Sequence, residues 1–174
     1  EINDFAVSVA KTALWIAESQ MLEETKDIVF ANIDFLPLKS YTNIVEGNAL
    51  EIDWETVVPK DKLSYIIGNP PFLGYSLQSP KQKADLLSVY VDENGKPYKT
   101  AGKIDFVSAW YFKASHIMRN TSIRTALVST NSITQGEQVA SVWKPLYERF
   151  GIHIDFAYRT FKWNSEAKNK AAVH

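Results

Sequence analysis

The sequence predicts an α/β fold, with a mostly parallel sheet and helices on both of its faces. Three observations carry that expectation. Short apolar, β-branched runs recur at residues 42–45, 63–67, 126–129 and 152–157. Amphipathic stretches with helical spacing lie between them. Gly-, Asn- and Pro-containing segments follow the first two of these runs, where α/β proteins carry their ligand sites at the carboxyl ends of strands.

Each element has its own justification. Residues 3–20 read as a first helix, with Ala6, Val9, Ala13 and Ile16 on one stripe and Asn3 or Asp4 placed to cap it. Residues 22–40 are mixed: Asp27-Ile28-Val29-Phe30 has the composition of a short strand and Phe35-Leu36-Pro37-Leu38 that of a break. Residues 42–45 form the next strand and run into Gly47-Asn48-Ala49-Leu50. The run 63–67 is a strand that delivers Asn69-Pro70-Pro71-Phe72, residues 81–91 are weakly helical, and 94–102 form a loop. Over 105–118 the spacing predicts a strong helix, with Val107, Trp110, Tyr111, Ala114 and Met118 on one face and Asp105 near its positive end. A buried strand at 126–129 follows, then a helix through Val139, Val142, Trp143 and Leu146 that Pro145 should kink or end. Residues 152–157 read as a further strand, and 171–173 begin another. No internal repeat, low-complexity tract or linker divides the chain, so residues 1–174 are expected to form one domain.

Composition narrows the classes of function. A chain of 174 residues with 45% hydrophobic and 13% aromatic residues can build a sizeable core. It has no cysteine, which excludes disulfides and thiolate metal sites, and its 3 histidines are too scattered to suggest a metal cluster. No apolar stretch approaches the roughly 20 residues that span a bilayer, and Glu1-Ile2-Asn3-Asp4 lacks the basic lead of a secretory signal. A reducing cytoplasm and no membrane association are therefore expected. The net charge of -1 argues against an all-over basic surface, so nucleic-acid contact would come from a local patch. The best local patch is Arg159, Lys162, Lys168 and Lys170 against the single acid Glu166, a run that also reads as a solvated loop.

Asn69-Pro70-Pro71-Phe72 is the most chemical feature. Pro70 fixes its own φ and pushes Asn69 out of the helical region, and Pro71 restricts Pro70 in the same way. The loop is stiff before any ligand arrives. An exocyclic amine on a nucleobase is a poor nucleophile because its lone pair is delocalised into the ring. If the Asn69 side-chain oxygen and the Pro70 carbonyl each accept one of its hydrogens, the nitrogen can pyramidalise and aim that lone pair at an electrophile. Phe72 would stack on the base. The plain alternative is a Pro-Pro pair that ends a strand and starts a turn.

This segment resembles the catalytic motif of amino-methyltransferases that use S-adenosyl-L-methionine, in the Phe form common among DNA adenine-N6 enzymes. Residues 124–138 and 160–167 resemble later motifs of one subgroup, the MmeI-like single-chain restriction-modification methyltransferases. The resemblance runs through nearly the whole chain. It implies a Rossmann-like class I methyltransferase fold and a bacterial cytoplasmic enzyme that acts on double-stranded DNA with the target adenine flipped out of the helix. In the resemblance Glu1 accepts hydrogen bonds from the cofactor ribose and is followed by Ile2, although a bare terminal glutamate would mean nothing by itself. Asn48 contacts the cofactor adenine amine, with Ala49 or Leu50 packing on the ring. Gly47-Asn48 is equally an ordinary turn. Asp105 and Phe106 border the same adenine, whereas the residues alone read as a helix start and a core ring. Phe161 and Trp163 flank Lys162 and hold the flipped base opposite Phe72, whereas without the resemblance they read as core. No metal is implied.

The Gly-rich turn by which such enzymes hold the methionine part of the cofactor is absent, because no two glycines are spaced as Gly-x-Gly. By the resemblance the chain starts at the second strand, and the first strand and its turn lie upstream of Glu1. A central fragment is expected, one that is inactive when isolated, binds cofactor weakly, and either self-associates through exposed sheet edges or stays partly unfolded. The alternative functions are methylation of RNA or of a glutamine amide, and a non-catalytic recognition or folding platform.

Overall fold

In a computed structural model of the chain, residues 2–29, 44–158, 161–162 and 170–173 are described, the last two segments by their backbone alone. They fall into two units, Glu1–Pro59 and Lys60–His174.

The first unit opens with helix α1, Asp4–Val29. Asn3 caps it, its side-chain oxygen accepting from the Ala6 N–H at 3.3 Å and its carbonyl from Val7 N–H at 2.9 Å. The helix is longer than the apolar stripe suggests. Residues 27–29 continue it instead of forming the expected short strand, because a helix already running adds each residue for one further hydrogen bond. Val7 is buried, while Val9 and Ile16 of the expected stripe stay exposed. Of the strand expected at 42–45, Thr42 and Asn43 lie outside the described residues, and Ile44 and Val45 are in no strand. The segment 21–40 is described only as far as residue 29.

The second unit contains the sheet, in the order β1 (Tyr65–Gly68), β2 (Arg124–Thr130), β4 (Lys170–Val173), β3 (Phe161–Lys162). β1 and β2 pair in parallel, with Tyr65 opposite Arg124 and Gly68 opposite Leu127. Gly68 suits that register, since a Cβ there would come within 3.3 Å of Leu127 Cδ2. The expected parallel pairing is thus present at β1–β2, and the strand begun at 171–173 joins β2 antiparallel, with Val128 opposite Val173. β3 pairs antiparallel with β4.

Helix α2, Pro80–Val89, has a complete capping box: the Ser79 hydroxyl accepts from Gln82 N–H at 3.2 Å and the Gln82 side chain accepts from Ser79 N–H at 2.9 Å. Helix α3, Ser108–Met118, starts three residues later than the apolar spacing predicts, leaving Asp105 in the approach to it. Its Phe112 and Ala114 are buried as fully as any residue in the core, on different sides of the helix, and Tyr90, Ile104, Leu127, Ile133 and Leu146 complete that core.

The helix through Val139 and Val142 is interrupted, as Pro145 required. Residues Val139–Trp143 form a wide π-type turn, and helix α4, Lys144–Phe150, begins with Pro145 in its first turn. Proline has no N–H to give the carbonyl four residues earlier, which is that of Ser141. The buried Tyr90 hydroxyl donates to that carbonyl instead. Gly151 ends α4 at φ 64°, in the left-handed conformation that lacks a penalty only for glycine. Beyond it, residues 152–157 are not a strand. Their apolar alternation has no paired edge among the described residues, and Ile154 and Phe156 remain 45% and 60% exposed. An alternating pattern becomes a strand only where a neighbouring backbone accepts and donates.

Candidate active site

Because β1 and β2 are parallel, the segments that leave Gly68 and Thr130 emerge from the same end of the sheet. The first begins with Asn69, which is exposed, followed by buried Pro70, exposed Pro71 and half-buried Phe72. A carboxamide is therefore presented to solvent at the strand's carboxyl end, on a backbone anchored one residue later.

The rest of the loop is tied down from residues far along the chain. Leu73 carbonyl accepts from Phe106 N–H at 2.9 Å, and Tyr75 N–H donates to Asp105 Oδ1 at 3.1 Å. Asp105 Oδ2 accepts from the Ser132 hydroxyl, which is itself 2.6 Å from Thr130 Oγ1 at the end of β2. Asp105 and Phe106 are buried, at 6% and 5% exposure, and the Phe106 ring meets Trp110 edge-on at 5.1 Å. Two glutamines hold the approach. Gln138 accepts from Asp105 N–H at 3.2 Å and donates to Lys103 carbonyl at 2.8 Å, while Gln78 donates to Ile104 carbonyl at 2.9 Å. Behind the strand, Tyr111 donates to Ser129 at 3.4 Å, and burial raises its phenol above the ordinary value.

Sequence reasoning missed Gln78 as a participant, and it covers Ser132 and Gln138 only as members of the motif-like segment 124–138. A buried amide at 8% exposure resembles a surface residue when read from sequence, and only the family-like segment 124–138 pointed toward two of the three.

Asn48, Ala49 and Leu50 lie in a tight turn of the first unit. Asn48 carbonyl accepts from Glu51 and Ile52 N–H at 2.9 Å each, and its Oδ1 accepts from Leu50 N–H at 3.0 Å. Gly47 stands there at φ 150°, a backbone conformation that residues with a side chain rarely adopt, and a Cβ would also crowd Ile52 Cδ1 at 2.6 Å. Leu50 is buried and Trp54 Nε1 donates to Ala49 carbonyl at 2.8 Å. Ile2 is exposed. Glu1, Arg159, Trp163 and Lys168 lie outside the described residues, and for Phe161, Lys162 and Lys170 only strand backbone is described.

A cavity of about 400 Å³ lies elsewhere in the second unit, between Tyr65 and Ile67 of β1, Ala114 and Met118 of α3, and residues 152–156. None of residues 69–72 lines it, so it is not the candidate active site.

The family model for the DNA-methyltransferase domain of MmeI matches residues 1–174. The chain belongs to this family. DNA methyltransferase A of Bacillus subtilis (strain 168) is 44% identical over 176 residues, covering 99% of the chain and 19% of that protein. A solved structure of the Type IIL restriction-modification enzyme MmeI in complex with DNA superimposes with a TM-score of 0.84 at 48% identity, covering 100% of the chain and 23% of the MmeI chain. The chain thus spans about a fifth of the length of the relatives it matches. It has the Rossmann-like α/β architecture of the MmeI methyltransferase domain. No described helix is long and apolar enough to cross a membrane.

Proposed function

We propose that the MmeI-type domain formed by residues 1–174 is catalytic: it methylates the N6 amine of an adenine flipped from double-stranded DNA, using S-adenosyl-L-methionine, within a bacterial, cytoplasmic restriction-modification protein. The observation that carries this reading is the exposed Asn69 carboxamide at the carboxyl end of β1, with Pro70 buried behind it and Phe72 half-exposed beside it. The Asn69 oxygen and the Pro70 carbonyl accept the two hydrogens of the target amine and turn its lone pair outward. Phe72 stacks on the base, which must leave the duplex because its amine cannot be reached in the stack. Phe161 and Trp163 supply the opposing ring, and Arg159, Lys162, Lys168 and Lys170 contact the DNA backbone.

The residues present fit an adenosyl cofactor by their chemistry. The turn at Asn48 offers a carboxamide beside half-buried, apolar Ala49, a combination that suits an adenine edge and face, while Leu50 itself is buried. Glu1, Ile2, Asn48, Ala49 and Leu50 would hold the nucleoside. The bound cofactor supplies a methyl group on a sulfonium. The MmeI relative solved with DNA and the Bacillus subtilis relative named a DNA methyltransferase support the choice of substrate over RNA or a glutamine amide.

The test is incorporation of labelled methyl into duplex DNA by the complete protein, with N6-methyladenine identified after digestion. Asn69→Ala should lose on the order of 100-fold or more in turnover while cofactor affinity is spared, because one preorganised acceptor is removed. Near-normal turnover in that variant would remove Asn69 from the mechanism.

A further inference from the structure

We infer that Asp105 is a positioning residue for the catalytic loop, holding it to the neighbouring strand's end and acting through Tyr75 and Ser132 without touching either reactant. The inference rests on the proposed role of the 69–72 loop. That loop lies in no helix or strand from Asn69 to Gly74, so its backbone groups need partners from elsewhere. Two of those partners are adjacent in sequence. Phe106 N–H takes the Leu73 carbonyl at 2.9 Å, and the Asp105 carboxylate takes Tyr75 N–H at 3.1 Å, so the chain is gripped on both sides of Gly74. A Cβ on Gly74 would stand 3.8 Å from Asp105 Oδ1, the closest atom it would meet.

The second carboxylate oxygen faces the other way, to Ser132 and through it to Thr130 at the tip of β2. One side chain therefore joins the segments that follow both parallel strands. Asp105 has little freedom to choose another arrangement: Gln138 receives its N–H and holds Lys103, and Gln78 holds Ile104. At 6% exposure these carboxylate bonds are shielded from water, and an ionised acceptor forms roughly twice as strong a hydrogen bond as a neutral one. The paired residues lie 26 to 35 positions apart in sequence, so the contacts tie distant parts of the chain to the loop being held. The arrangement aims the carboxylate at the loop's position. A displacement of about 1 Å in a reacting group can cost about 100-fold in rate, so the loop's fixity has a direct kinetic reading.

The experiment compares Asp105→Ala, Asp105→Asn and Ser132→Ala in the complete protein, by methylation kinetics, cofactor titration and amide hydrogen exchange at Tyr75. Asp105→Ala should lower kcat by about 30- to 100-fold, leave cofactor Kd within about threefold, and lose the exchange protection of the Tyr75 amide. Asp105→Asn keeps an acceptor for Tyr75 and turns an amide toward the Ser132 hydroxyl, which can accept it, so kcat should recover to within about fivefold of wild type. Ser132→Ala should fall between these two in kcat with cofactor Kd unchanged. A rise in cofactor Kd with kcat and Tyr75 protection intact would overturn the inference and make Asp105 a cofactor contact. Should Asp105→Ala not fold, a failure of Asp105→Asn to keep both kcat and Tyr75 protection overturns it equally. Tyr75 exchange needs no reaction, so a wild-type protein that protects this amide yet leaves DNA unmethylated would refute the proposed function and not the clamp.

Discussion

Tyr90→Phe removes one oxygen from the centre of the second unit, and its cost can be worked from the contacts that oxygen makes. Tyr90 is fully buried, its ring edge-on to Phe112 at 4.4 Å and 4.9 Å from Tyr98. Phenylalanine keeps those ring contacts. What goes is the donor to the Ser141 carbonyl and the 2.9 Å bond to the Thr100 hydroxyl. Thr100 is exposed and can turn to water, but the Ser141 residue is 6% exposed and Pro145 offers its carbonyl no replacement. A buried acceptor left unsatisfied costs about 1–3 kcal/mol, and for a chain of this size each kcal/mol moves the melting midpoint by roughly 2–4 °C. A midpoint about 4–8 °C lower is therefore expected, for a cost near the middle of that range. Urea unfolding followed by tryptophan fluorescence should show the same loss with an unchanged m-value. The alkaline limb gives a second check. Burial raises the Tyr90 phenol, with the Thr100 bond working against it, so the folded state favours the neutral form. The stability this contributes is fully present below the ordinary phenol value of about 10 and is lost as pH rises through the folded value. Tyr90→Phe should flatten the fall in stability above about pH 10 without abolishing it, because burial raises Tyr111 in the same direction. A variant with wild-type midpoint and an unaltered alkaline slope would mean that the Ser141 carbonyl does not depend on Tyr90.

Other expectations follow from single contacts. His116 packs edge-on to Phe150 at 4.8 Å, and burial, then the nearby Arg149, lowers its imidazole below the ordinary value, opposed by the hydrogen bond it donates to the Val89 backbone carbonyl. Its contribution to stability should be present above about pH 6.5 and lost as pH falls, and an NMR titration finding a raised value would refute this. Phe72→Ala should weaken stacking of the flipped base by about 1–3 kcal/mol, read by 2-aminopurine fluorescence at the target position, and undiminished flipping would return Phe72 to a packing role. The isolated chain should self-associate through β1, where Tyr65 and Ile67 are 66% and 80% exposed, and Ile67→Lys should reduce that association. A concentration-independent monomer in analytical ultracentrifugation would refute the expectation.

Local chemistry was readable from sequence wherever the signal was itself local. The strand before Asn69, the strand at Arg124–Thr130 and the interruption ahead of Pro145 all follow from neighbouring residues, and all are present. The pattern misled where it was satisfied without a partner. Residues 152–157 alternate like a strand but have no strand partner among the described residues, and residues 27–29 have strand composition but inherit the winding of α1. The scaffold of the candidate site was the least legible part. Asp105 reads as a helix-start residue, yet its partners Tyr75, Ser132 and Gln138 stand 30, 27 and 33 residues away, and no periodicity encodes a hydrogen bond across that span. The resemblance to known methyltransferases identified the loop that bears the chemistry, while the groups that hold that loop emerged only from the folded geometry.

The wide turn at Val139–Trp143 also bears on how the chain tolerates changes in length. It winds about one more residue into its circuit than an α-helical turn does. Removing a residue there would return the segment to ordinary winding and leave the azimuth of Leu146 and Phe150 unchanged. The same deletion within α3 would swing every following side chain by about 100° and pull Ile117 off the core. The segment ahead of Pro145 is accordingly a slack point, where the chain can lose a residue while the packing on either side stays in phase.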